Sequence, residues 1–145
     1  MSERILNQWS TPVKNVVEQG AVRKFADAIG DLNPLYRDEG AAKASRYGRL
    51  IAPPTFSMTF DYGEIVGADV TEAGLIHGEQ TFTFVRPLYV GETVWCSARL
   101  TDVYTRGGSL GKMTFYLYER RCADANDETI LTERMTVIGK GGAEQ

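Results

Sequence analysis

Four stretches in the second half of the chain alternate apolar and polar residues with a period of two: Leu75 to Arg86, Thr93 to Tyr104, Leu110 to Arg121 and Thr129 to Ile138. Val94, Cys96, Ala98 and Leu100 fall on one face by this count, as do Met113, Phe115 and Leu117, and the pattern predicts strands. Pro87 to Gly91, Arg106 to Ser109 and Ala123 to Asp127 read as the turns between them. With no helical stretch intervening, the strands are expected to pair antiparallel in an α+β fold.

The first half reads differently. Val13 to Val17, entered from Pro12, predicts a short strand. Val22, Phe25, Ala26 and Ile29 then form the i, i+3, i+4, i+7 stripe of an amphipathic helix, with Arg23, Lys24 and Asp27 on the other side and Gly30 at its end. The Ala-rich run Glu39 to Arg46 predicts a second short helix. Pro53 to Val66 is ambiguous. Phe56, Met58, Phe60 and Tyr62 alternate with Ser57, Thr59, Asp61 and Gly63, which is a strand pattern. A helix is also allowed, because Pro54 suits a first turn and Phe56 and Phe60 lie one turn apart.

At 145 residues and 43% hydrophobic composition the chain holds one domain, residues 1–145, with a glycine-rich end, 139–145, expected to fray. A net charge of -3 and a pI near 5.2, with no Lys/Arg cluster, argue against nucleic acid or an anionic membrane as partner. Met1 to Ser10 lacks the basic end and apolar run of a signal peptide and no segment is long enough to span a bilayer, so a cytoplasmic location is expected. Cys96 and Cys122, inside predicted strands and without ligand-spaced neighbours, read as buried thiols. No metal site and no nucleotide motif is expected.

Candidate chemistry concentrates in Gly30 to Asp38, Gly-Asp-Leu-Asn-Pro-Leu-Tyr-Arg-Asp. Pro34 disfavours the α region for Asn33, and short Asx side chains bond backbone amides two residues on, so the chain should leave the helix abruptly into a rigid polar turn. The plainer alternative is a helix C-terminus capped by Gly30 and followed by an ordinary turn.

Phe25 to Glu39, Ser45 to Phe56 with its Ala-Pro-Pro-Thr-Phe, Gly78 to Phe84 and Arg86 to Gly91 together resemble the MaoC-like dehydratases, especially their N-terminal-domain branch. The resemblance covers most of the chain. It implies a hot dog fold, a curled antiparallel sheet wrapped around a central helix, so Pro53 to Val66 is expected to be that helix. It also implies (R)-specific hydration or dehydration of an enoyl thioester on CoA or acyl carrier protein, with no further cofactor. Since a hot dog monomer leaves sheet edges unpaired, a dimer with a sister MaoC-like subunit or with itself is expected.

In the family's hydratase motif an Asp and a His five residues later share the water, with an Asn assisting. Asp31 and Asn33 match, but Tyr36 stands in the histidine's place, and a phenol with an ordinary pKa near ~10 is a poor base where an imidazole near ~6.5 is well suited. Catalytic members begin the central helix with His-Gly, whose Gly amide receives oxyanion charge. Pro54 occupies that place and has no N–H, leaving Thr55 as the next amide, beside Phe56 in the expected substrate pocket. The resemblance therefore points to a subunit that shapes the acyl pocket while a sister chain brings the working Asp and His. His77, the only histidine, is the candidate substitute base in a self-sufficient enzyme. Asp61 and Glu64 are the carboxylates a hot dog thioesterase would use, and a non-catalytic acyl-thioester binder is the remaining class.

Overall fold

The computed structural model describes residues 5–65, 75–109 and 111–140. In chain order the elements are β1 (Val13–Val16), α1 (Gln19–Ala28), a 3-10 turn (Pro34–Tyr36), α2 (Glu39–Ala44), a 3-10 helix (Pro54–Thr59), β2 (Ile76–Phe84), β3 (Thr93–Gly108), β4 (Gly111–Ala123) and β5 (Thr129–Lys140). The strands form one curled antiparallel sheet in the order β1-β3-β4-β5-β2, the arrangement of a hot dog fold. Alternation explains the core: Val94, Cys96 and Ala98 of β3 and Cys122 of β4 turn inward and pack with Val22 and Ala26 of α1 and with Phe56. Phe56 is the hub of an aromatic chain, meeting Phe25 and Phe60 edge-on, each at 5.6 Å.

Two expectations are corrected. The β3–β4 hairpin runs further than its turn residues suggested, with Arg106 paired to Met113 and Gly108 to Gly111 inside the ladder. Its Arg106 guanidinium stacks over the Tyr104 ring, and Tyr104 stacks on Phe115 at 4.9 Å, contacts that hold both strands extended. Likewise β5 continues through Gly139 to Lys140, because its partner β4 still offers Met113 and Thr114 for pairing. The rest of the expected frayed tail lies outside the described residues.

The larger correction concerns the central helix. In place of a helix over Pro53 to Val66 there is only the 3-10 stretch Pro54–Thr59. Phe60 turns into extended backbone (φ -77, ψ 157), and Val66 lies outside the described residues. Tertiary hydrogen bonds explain the early stop. Asn15 of β1 clamps the Asp61 backbone from both sides, its Oδ1 accepting from Asp61 N (3.0 Å) and its Nδ2 donating to Asp61 O (2.9 Å). Ser10 donates to Tyr62 O at 2.6 Å. Gly63 is left-handed (φ +78), and a Cβ there would lie 3.0 Å from the Thr11 carbonyl oxygen. The period-two pattern of Phe56 to Gly63 thus reports its extended second half, pinned by the N-terminal segment.

Beneath this stretch lies a buried acid. Glu133 of β5 has no exposed surface, and its carboxylate accepts from Ser57 Oγ (2.6 Å), Tyr62 OH (3.0 Å) and Gln80 Nε2 (3.1 Å). The Arg120 guanidinium stands 3.6 Å away and stacks over the Tyr62 ring. Burial, then Cys122 and Glu133, raise the Tyr62 phenol, which therefore remains a proton donor. Cys96 and Cys122 lie beside it as free buried thiols, 3.4 Å apart.

Glu133→Ala should leave the buried Ser57 hydroxyl and the Gln80 amide without their acceptor, while the Tyr62 phenol keeps the Ser57 carbonyl at 2.8 Å. We expect a loss of about 3–5 kcal/mol in urea unfolding, where Ser57→Ala loses about 1–3 kcal/mol. Equal midpoints for Glu133→Ala and the native chain would refute the role assigned to this carboxylate.

Candidate functional site

The polar turn after α1 is built by the chain's own side chains. Gly30 adopts φ +73, its amide donates to Asp27 O at 3.1 Å and the Asp31 amide reaches back to Ala26 O at 2.9 Å, a Schellman ending that reverses the chain. Asp31 Oδ1 then accepts from Asn33 N at 3.1 Å, and Asn33 Oδ1 from Leu35 N at 3.0 Å, two successive Asx turns. Arg37 fastens the unit to the helix through Asp27 at 2.9 Å and the Asp31 carbonyl at 3.3 Å. Both candidate acidic and amide side chains therefore hold the turn, and the turn in turn places Tyr36.

Tyr36 is only 6% exposed and borders a largely apolar cavity of about 330 Å³, within the usual span of small-molecule sites at ~300–1,000 Å³. Asn33, Pro54, Tyr47, Phe84 and Arg86 share its walls. The walls meet because residues 50–52 run beside 88–90: Ala52 N bonds Leu88 O (2.9 Å), Val90 N bonds Leu50 O (3.0 Å), and Ile51 N bonds Leu35 O (3.1 Å) in the polar turn. Burial, and secondarily the Asp31 carboxylate, push the Tyr36 phenol above its ordinary value, while Asn33 acts in the opposite direction. At neutral pH this phenol can donate a hydrogen bond and cannot serve as a base.

The other candidates divide. Pro54 lines the cavity, Thr55 is exposed beside it, and Phe56 is buried in the core behind it. His77 is exposed near the opposite end of β2, seven positions before Phe84 and so about 23 Å away along the strand. Within one protomer it does not reach the cavity. Asp61 is exposed, and its Oδ1 accepts from Gly63 N at 2.9 Å in a local turn. Glu64 lines a different groove with Arg120 and Tyr118. Neither carboxylate meets the cavity that holds Tyr36. Sequence reasoning assigned no role to Tyr47, Phe84 or Arg86, which come from two separate segments. Only folding unites them, and the Arg-Pro-Leu-Tyr run carried no chemical signal by itself.

The cavity opens beside a free edge. β2 bonds β5 on one side only among the described residues, and Phe84 and Val85 at its end are 39% and 72% exposed. Among the described residues no cluster of His, Cys, Asp and Glu could hold a metal ion, and no helix is long and apolar enough to cross a membrane.

A model of the FAS1-like dehydratase domain region matches residues 5–133. A UPF0336 protein of Thermobifida fusca is 32% identical over 142 residues, covering 93% of this chain and 90% of its own. The fold is similar to a chain of the ChsH1–ChsH2 complex from Mycobacterium tuberculosis, with TM-score 0.76 and 24% identity over 94% of this chain and 86% of that one. It is also similar to a chain of the C-terminally truncated HadBC complex of the same organism, a 3R-hydroxyacyl-ACP dehydratase, with TM-score 0.72 and 22% identity over 90% and 93%. Strand order and these likenesses together define a hot dog fold. The chain belongs to the FAS1-like dehydratase-region family.

Because the Tyr36 phenol is raised, the folded chain keeps a proton that the unfolded chain releases near pH ~10, so stability is intact below that pH and falls as pH rises past it. Tyr36→Phe should flatten that alkaline fall in denaturant midpoints measured from neutral to strongly alkaline pH. An unchanged fall would show that Tyr36 ionises as freely in the native chain as in the unfolded one.

Proposed function

We propose that this chain is one subunit of an (R)-specific enoyl-thioester hydratase or 3-hydroxyacyl-thioester dehydratase. In this reading it shapes the pocket for the acyl thioester, and a sister MaoC-like subunit brings the Asp and His. The observation that carries the reading is a ligand-sized apolar cavity whose walls hold Tyr36 and Pro54 where the reaction needs a base and an amide donor, opening beside an unpaired strand edge.

Hydration requires a base to take a proton from water as its oxygen attacks the β carbon. N–H donors must receive the enolate charge on the thioester oxygen, and an acid must return a proton to the α carbon. Tyr36 is held protonated, so it cannot take the first proton, and Pro54 offers no N–H for the enolate. A missing general base costs roughly 10²- to 10⁴-fold in rate. A partner strand joined to β2 would bring foreign side chains to the cavity mouth at Phe84. Two structures of similar fold were solved as complexes of differently named chains, which supports a sister subunit in that place. The substrate is then an acyl thioester on CoA or acyl carrier protein, with no other cofactor, in the cytoplasm.

A second reading rests on the same free edge. If two copies pair their β2 strands antiparallel, His77 of one copy lies alongside the Phe84 end of the other, which the distance within a single protomer forbids. His77 would then complete a self-sufficient homodimer with Asp31.

Purified alone, the chain should hydrate crotonyl-CoA at no more than about 1% of the rate of its complex with a sister chain carrying an intact Asp and His, such as one encoded beside it. Within that complex Tyr36→Phe should change turnover less than about three-fold, and His→Ala in the sister motif should abolish it to within ~10²–10⁴-fold. Full activity of the lone chain, lost on His77→Ala, would instead establish the homodimer.

A further inference from the structure

The side chains around the cavity that holds Tyr36 separate by exposure. Tyr36, Ile51, Ala52 and Leu88 are buried and form its interior. Asn33, Tyr47, Pro54, Phe84 and Arg86 keep exposed or half-exposed surface and form its mouth.

Each of these five is held in place. The Asn33 side chain is engaged in its own turn, Oδ1 accepting from Leu35 N at 3.0 Å, and the Pro54 ring has no rotamer to change. The Tyr47 hydroxyl accepts from Arg46 at 2.8 Å. Arg86 donates twice to Glu92, at 2.8 and 2.9 Å, and once to the Pro87 carbonyl at 2.9 Å. Phe84 stacks on Phe82, with centroids 6.0 Å apart and planes 9° from parallel, and the amide of Val85 just after it bonds Ile130 O at 2.8 Å. Phe84 also ends β2, whose outer side has no strand neighbour among the described residues, so its ring bounds the cavity on the side of the open edge.

A mouth of loose side chains repacks around an extra methyl group. One of pinned side chains cannot, and a single methylene forced against fixed walls is worth roughly 10- to 200-fold in discrimination. If the sister's Asp and His arrive at this mouth, the thioester and its α and β carbons lie within it and the acyl tail fills the buried interior. Building on that acyl-thioester reading, we propose that the mouth is a shape filter with Phe84 as its specificity-determining residue, admitting acyl thioesters unbranched at the α carbon and rejecting those that carry an α-methyl group. Phe82 is the positioning residue behind it.

Titration calorimetry on the full chain can compare hexanoyl-CoA with 2-methylhexanoyl-CoA, saturated thioesters of equal tail length that no hydratase turns over. The native chain should bind the branched probe about ten-fold or more weakly than the straight one. Phe84→Ala should cut that ratio to about three-fold or less, chiefly by tightening the branched probe, and Phe84→Leu and Phe82→Ala should fall between. Phe84 is 39% exposed at a strand end, so matching thermal unfolding of variant and native chain certifies the comparison. A ratio in Phe84→Ala equal to the native one, or a native chain that binds both thioesters equally well, would overturn the filter while leaving the acyl-thioester reading in place. Hexanoate and 2-methylhexanoate, titrated in parallel, separate the two ideas from the other side. Discrimination between these free acids by a native chain that binds neither thioester would keep the filter and remove the thioester reading, and binding of none of the four probes would remove both.

Discussion

The carboxylate of Glu133 is the constraint around which the interior is arranged. A buried charge is tolerated only when its lone pairs are filled, and here three donors from three different segments converge on it: Ser57 from the 3-10 helix, Tyr62 from the extended run after it, and Gln80 from β2. Those bonds tie the segment over the concave face of the sheet to the strands beneath. They also oblige that segment to bring two polar groups five residues apart in sequence to the same point. A continuous α-helix would separate residues 57 and 62 by about 7.5 Å along its axis and turn them to different faces. The 3-10 turn followed by extended chain lets both reach one carboxylate.

Much of the sheet was legible because its information is local. Period-two alternation survives burial on one side, so the four long strands and their antiparallel order follow from the pattern of residues such as Val94 to Leu100. The helix α1 was legible for the same reason, as was its end at Gly30. The stretch Pro53 to Val66 was not, because its conformation is decided by partners far away in sequence, Asn15, Ser10 and Glu133, which no window around it contains. Its alternation matched only the extended half after Phe60, and the 3-10 half before it fits neither the strand pattern nor the helix that the resemblance implied.

The site divides along the same line. The turn from Asp31 to Tyr36 could be anticipated as rigid because Asx side chains and proline act over two or three residues. What the sequence could not supply was the allocation of those side chains. Asp31 and Asn33 each have an oxygen engaged by the backbone of the turn, so geometry alone is sufficient reason for both residues there. The cavity walls, by contrast, come from residues 33–36, 47, 51–54 and 84–88, and only the pairing of residues 50–52 with 88–90 assembles them.

A cavity with a protonated phenol, a proline where an amide would be useful and a free sheet edge is well formed for holding a ligand and poorly formed for moving protons. Holding and proton transfer make opposing demands on one set of side chains. Apolar walls and burial keep a phenol neutral, while a general base must stay near neutrality in pKa and keep access to water. Dividing the two tasks between paired hot dog domains lets one surface be optimised for each. Among the described residues the unpaired edge of β2 lies beside the mouth of this cavity, so in the two-subunit reading proposed above a partner that paired with β2 would also face the chemistry.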